Sequence, residues 1–390
     1  MHWSPLWEEF KRWPDAIGFN RGFHFSSLIP YWDRTDTIEV QQLKGKKEGF
    51  CAVNRHDDPA IIKAFGTATP EPYTYLLHRA PVGDAFYQVP VLLVHGAAIT
   101  GNVWTLDMGA NGQGLARSLA ELGFRVFAIT FSHPHGDNLT QAVQLADAAS
   151  RICRETGQDR LDIVCYSKGG IACRCWLQGL VQAPCKPDLV RRICMLGVPN
   201  LGTDQLFRHP YLSASSHFAA LNTATVYDKM WSMGMIVDTT HQSLYAGGTF
   251  AGQAQMLHRW APDIPLDPLE PEVETTYYGG WTLLGHSPGI KAAIEDGGNL
   301  IDRLEQAAFE ISVEMAFLAG NNNRMGGLTA ETGAPSDGLV YVESALHTEP
   351  LVRGKCRLLT ADEMHVNHLE MIYSEKVARW VFGHLAPDRG

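Results

Sequence analysis

The chain reads as an α/β protein: a mostly parallel central sheet with helices on both faces, interrupted by an inserted cap or lid region. Three observations predict this. Short continuous apolar runs recur along the middle of the chain, too short for typical helices and rich in β-branched residues. Segments of helical spacing separate them, as expected of strands joined by crossover helices. The alternation stops over 204–304 and resumes afterwards. The expected organisation is a decorating segment at 1–85, a core at 86–203 and 305–390, and a cap insertion at 204–304.

Taken in order, 1–85 is aromatic and irregular, with a helix expected around 5–13 and strands near 37–42 and 73–78. The run 89–94 (VPVLLV) reads as a strand buried on both faces. Helical spacing follows at 114–122, then a strand at 124–130. A helix at 140–155 leads to the strand 161–166 (LDIVCY). A helix at 169–180 precedes the strand 192–197. The stretch 203–300 has no comparable strand series, and prolines at 262, 265, 268 and 271 forbid a continuous helix there. Strands resume at 313–319 and 356–359, and a closing helix spans 370–385.

Composition excludes several classes. Hydrophobic residues are 45% and charged residues 19%, enough to bury a sizeable core and unlike a disordered chain. The net charge of -10 carries no global basic footprint for nucleic acid. No apolar run reaches membrane-span length, so a soluble protein without stable membrane insertion is expected. The first residues lack the basic start and apolar stretch of a signal peptide. A cytoplasmic protein and a mature secreted form both fit. The 8 cysteines suggest no decisive pairing, and Cys173 and Cys175 lack a second pair at zinc-site spacing. His133, His135 and Asp137 imitate the start of a binuclear metal motif, but Asn138 stands where a histidine would continue it. A loop-structuring or pocket-lining role is the better reading, and no metal is expected. No phosphate-binding glycine loop sits at a strand–helix junction.

The chemistry concentrates at 161–170, where a buried strand runs into Ser167 and Gly169 and Gly170 open a helix. A serine in such a sharp turn is pushed above the sheet, and small residues two before and two after let the turn close. Here those positions hold Cys165 and Gly169. Serine needs a base, and the base needs an orienting acid. Asp337, in SDGLV, and His368, in NHLE, follow in the order Ser, Asp, His, each where a loop leaves a late strand. His365 is the competing base three residues away. Charge on a substrate oxygen needs backbone N–H donors. One is expected from Lys168, directly after the serine, and one from Ala97 in the His95–Gly96 loop.

These segments together resemble the α/β-hydrolase superfamily, and within it the bacterial triacylglycerol lipases: VHGA at 94–97, the serine turn, VPNLGT at 198–203, SDGLV at 336–340 and NHLE at 367–370. The resemblance covers roughly 88–203 and 310–385 and implies a Ser167–His368–Asp337 triad acting on carboxylic esters. Cys165 and Lys168 depart from the family's usual residues at the turn. The family's calcium site uses an aspartate two residues after the histidine, where this chain has Glu370. Lipase-like polyhydroxyalkanoate depolymerases share the framework, so lipid and polyester substrates both remain open. Acyl transfer to an alcohol and a non-catalytic binding protein are the other readings. Trp104, Met230, Trp231 and Met233 are candidate substrate contacts, the last three in a lid; packing of the cap is the alternative for them. The chemistry itself calls for no cofactor.

Overall fold

Residues 31–50, 54–83, 86–109, 112–209, 229–232, 235–238, 250–281, 286–287, 289–309, 311–325, 328–329, 333–349, 351–352 and 355–386 are described by the structure, a computed structural model. Eight strands form one sheet: β1 (Arg34–Glu39), β2 (Thr74–Arg79), β3 (Tyr87–Val94), β4 (Phe124–Phe131), β5 (Leu161–Tyr166), β6 (Val190–Leu196), β7 (Glu314–Gly320) and β8 (Arg357–Met364). Their spatial order is β1-β2-β4-β3-β5-β6-β7-β8. β2 runs antiparallel to both its neighbours, and every other pair is parallel. The N-terminal segment supplies strands close to those expected near 37–42 and 73–78. Its strands extend the central sheet, because β2 pairs with the open edge of β4 through Tyr75–Arg79.

Side chains alternate across the sheet, as the pleat demands. Leu92, Val94, Ile163 and Cys165 join one core with α2 (Asn138–Thr156), α3 (Lys168–Leu177) and the helix Leu300–Gln306. Val91, Leu93, Val164 and Tyr166 join the opposite core with α1 (Leu115–Glu121) and α4 (Glu375–Leu385). Burial on both faces explains why these strands read as continuous apolar runs. Each fully buried aliphatic side chain contributes about 1.5–3 kcal/mol.

The expected closing helix is two helices, Glu370–Tyr373 and α4, divided at Ser374, whose ψ of 130° is extended. The insertion builds a small core of its own from Phe207, Phe250, Leu257, Tyr277 and Ile290. It also holds a two-stranded pair, Lys229–Ser232 with Met235–Asp238. The helix expected at 5–13 lies outside the described residues. Among the described residues no helix is long and apolar enough to cross a membrane.

Candidate active site

Ser167 follows β5 directly and has φ 52° and ψ -132°, a conformation that L residues rarely adopt. Its N–H still donates to Leu196 O at 3.0 Å, so the turn stays pinned to β6. Close approach explains the small residues around it. A Cβ on Gly169 would lie 2.3 Å from His95 O, and one on Gly170 2.3 Å from Val198 Cγ2. On the other side, a Cβ on Gly96 would stand 2.9 Å from Ser167 Cβ. The His95–Ala97 loop therefore runs past the serine. Cys165 is buried, with its thiol directed at Cys194 O at 3.6 Å, and packs as a small apolar residue.

The loops leaving β7 and β8 bring Asp337 and His368 to the same point. Ser167 Oγ–H donates to His368 Nε2 at 2.9 Å, and His368 Nδ1–H donates to Asp337 Oδ2 at 2.6 Å. Asp337 Oδ1 accepts the backbone N–H groups of Leu339 (3.0 Å) and Val340 (2.8 Å), which fixes the carboxylate. His368 N–H donates to Asp337 O at 2.9 Å, so backbone as well as side chain joins the two loops. Gly197, at the end of β6, has φ 53°, and an added Cβ would lie 2.9 Å from Asp337 Oδ2. Only glycine suits that position. His365, the competing base, is exposed and faces Asn321 Oδ1 at 3.1 Å.

Lys168 is the first residue of α3, so its N–H has no intrahelical acceptor. It borders the turn, as does Ala97 at the loop beyond Gly96. Ala98, with φ 62°, donates to Pro134 O at 3.3 Å and shapes that loop. His95 is buried, which pulls its pKa down to about 3. Its Nε2 accepts Phe131 N–H at 3.2 Å, and its Nδ1–H donates to Gly96 O at 2.7 Å. The neutral ring thus ties the loop to β4.

Trp104 is fully buried in the core, its ring edge-on to Tyr166 at 6.2 Å. The expected substrate contact is corrected: the indole packs behind the site and presents no surface. Met230 and Trp231 lie in the strand Lys229–Ser232, opposite Val237 and Ile236, and Met233 lies outside the described residues.

The His133–Asp137 loop is tied by a series of hydrogen bonds. His133 Nδ1 accepts His135 N–H at 3.0 Å, and its Nε2–H donates to Gly49 O at 2.9 Å. Gln253 Nε2 donates to His135 Nδ1 at 2.9 Å. Asp137 caps α2 by accepting Thr140 N–H at 2.7 Å. Among the described residues no group of three or more His, Cys, Asp or Glu is placed to hold a metal ion. Glu370 accepts Asn367 N–H at 2.7 Å while Asn367 Oδ1 accepts Glu370 N–H at 2.9 Å, in the manner of a capping box. That carboxylate braces the loop carrying His368.

Sequence reasoning missed Tyr166, Glu48 and Gln141. Tyr166 O–H donates to His368 O at 3.0 Å. Its position before the serine was the available signal. The pairing of Asn367 with Glu370 had a sequence signature, a polar cap residue three ahead of a glutamate. Glu48 had none, because its neighbours lie far along the chain.

No family profile matches the chain. Among solved structures, it is similar to Bacillus licheniformis lipase BlEst2 in its mature form, at 19% identity over 79% of this chain and 96% of that one, with TM-score 0.42. It is also similar to carboxylesterase CesB from Bacillus subtilis, at 11% identity over 97% and 99% of the two chains, with TM-score 0.40. Naproxen esterase from Bacillus subtilis matches at 11% identity over 97% and 96%, with TM-score 0.38. The fold is read from the chain's own strands. One sheet of eight strands with only the second reversed, carrying a strained serine between β5 and α3 ahead of an aspartate and a histidine, is the α/β-hydrolase fold.

Proposed function

We propose that the protein is a serine carboxylester hydrolase of lipase or esterase type. The observation that carries the reading is the run of contacts from Ser167 Oγ to His368 Nε2 at 2.9 Å and from His368 Nδ1 to Asp337 Oδ2 at 2.6 Å. With Nδ1–H held by the carboxylate, Nε2 is the free base facing the serine hydroxyl. Ser167 Oγ attacks the ester carbonyl while His368 takes its proton. Asp337 stabilises the resulting imidazolium. The tetrahedral oxyanion is held by the N–H groups of Ala97 and Lys168, aided by the positive N-terminal end of α3. Collapse expels the alcohol, which leaves with the proton from His368. A water then attacks the acyl-enzyme, with His368 again as base, and frees the acid and Ser167.

The test is hydrolysis of p-nitrophenyl esters from acetyl to palmitoyl, with Ser167→Ala alongside. The expected result is activity in the parent protein and none above background in the variant. The chain-length profile measures whether short or long acyl groups are preferred. An undiminished Ser167→Ala variant overturns the reading.

A further inference from the structure

Lys168 follows the serine directly, yet its side chain turns away from solvent. It is 1% exposed, and its ammonium donates to Gln141 Oε1 on α2. A buried ammonium is costly unless fixed partners surround it. The surroundings come from four separate parts of the chain. Gln141 Nε2 donates to His133 O at 2.8 Å, which orients its oxygen toward the lysine. Gly252, in the insertion helix Ala251–Ala254, is so close that a Cβ there would lie 2.3 Å from Lys168 Cε and 2.0 Å from Gly136 O. Gly252 is itself clamped: its N–H donates to His135 O at 3.0 Å, and its carbonyl accepts Asn138 Nδ2 at 3.0 Å. Glu48 stands on the other side of the same Gly136 backbone, with Oε1 accepting Asp137 N–H at 2.6 Å. Its Oε2 is enclosed with no hydrogen-bond partner among the described residues.

The charges agree with this geometry. Burial pulls the Lys168 amine down to about 7, against the opposing pull of Glu48 and Asp137. Burial pushes Glu48 up to about 7, and the Lys168 charge acts to lower it.

We propose that the Lys168 side chain is a positioning residue for the oxyanion. Hydrogen-bonded to Gln141, packed against Gly252 and balanced by the charge of Glu48, it fixes the Lys168 N–H beside the strained turn and couples it to the inserted segment Ala251–Ala254. A conformation like that of Ser167 persists only where its surroundings over-determine it. A side chain bonded to α2 and packed against the insertion, both of which are tied to the His133–Gly136 loop, supplies that constraint. The inference rests on the reading of Ser167 as nucleophile and of the Lys168 N–H as oxyanion donor.

The experiment compares the parent protein with Lys168→Met, Glu48→Gln, Gln141→Leu and the Lys168→Met/Glu48→Gln double variant. Steady-state kinetics on p-nitrophenyl butyrate and fluorophosphonate labelling of Ser167 are the readouts, with thermal unfolding as the fold check. A misplaced donor costs transition-state binding and not substrate binding. Each folded single variant is therefore expected to lose about tenfold or more in kcat with KM within about threefold. The double variant is expected to lose no more than the worse single variant, because the two groups act as one unit. Unchanged kcat in folded Glu48→Gln and Gln141→Leu overturns the proposal, including where Lys168→Met fails to fold. So does a loss of activity that only tracks loss of folded protein. A parent protein that is inert to both ester and label overturns the reading of Ser167 and this inference with it. A reactive parent with unaffected variants overturns this inference alone.

Discussion

The phenol of Tyr166 donates to the backbone carbonyl of His368 at 3.0 Å, and their rings lie 4.8 Å apart. The residue before the proposed nucleophile thus holds the proposed base from behind, across the gap between β5 and the loop after β8. Tyr166→Phe keeps the ring and removes the bond. Its net worth of about 1 kcal/mol corresponds to roughly a fivefold fall in kcat if the imidazole loosens. KM should stay within about twofold, since the phenol is buried. A kcat equal to the parent's would show that the loop holds His368 without this bond.

Asp337→Asn separates orientation from folding. The amide oxygen can still accept Leu339 and Val340 N–H, so the loop is expected to stay in place. The amide nitrogen then faces His368 Nδ1 and forces the other tautomer, with Nε2–H pointing at Ser167. A fall in kcat of about 10⁴-fold is expected, with little change in melting temperature. Ester kinetics and thermal unfolding on one preparation check both halves. Activity within tenfold of the parent would remove Asp337 from the mechanism.

Gly197→Ala tests the space behind the His368–Asp337 pair. The added methyl would meet Met371 Sδ at 2.8 Å, Asp337 Oδ2 at 2.9 Å and His368 Nδ1 at 3.2 Å, at a φ of 53°. Strain and overpacking together predict a loss of about 2–4 kcal/mol. Activity should fall even in the fraction that remains folded, because two of the three contacts belong to the site. Denaturant melts and active-site titration measure the two effects. A variant as stable and as active as the parent would mean the loops can yield there.

Acid should destabilise the fold from about pH 6.5 downward. Burial holds His56 at about 4 and His78, His95 and His133 at about 3 in the folded state. Below about pH 6.5 the unfolded chain binds protons that the folded chain refuses, so stability falls with falling pH. Each histidine contributes up to about 1.4 kcal/mol per pH unit through this window, until pH nears its folded value. Glu48, Asp162 and Asp204, all raised by burial, act in the opposite sense and offset part of the loss. Urea unfolding at pH 7, 6 and 5 should show a clear drop at each step; a flat profile would contradict it.

Much of this was written in local patterns. The apolar runs that became β3 to β7 were legible because burial on both faces leaves no polar alternation to confuse with a helix. Ser167, Asp337 and His368 were found from their order and from the loops that carry them. The long-range partners were not legible. Glu48 meets Asp137, and Lys168 meets Gln141, through folding alone. The Lys168 side chain, as distinct from its N–H, stood out in sequence only as a departure at the serine turn.

The sequence by itself determined the alternating framework, the sharp turn between Cys165 and Gly169, and the chain order of the three candidate groups. Those depend on side-chain size, periodicity and spacing, which are local. Tertiary structure decided that β1 and β2 complete the sheet, that Trp104 is core, and that His368 and not His365 reaches Ser167. Each of those depends on which surfaces meet when the sheet closes. Contacts between residues distant in the chain leave no mark in the spacing of either one.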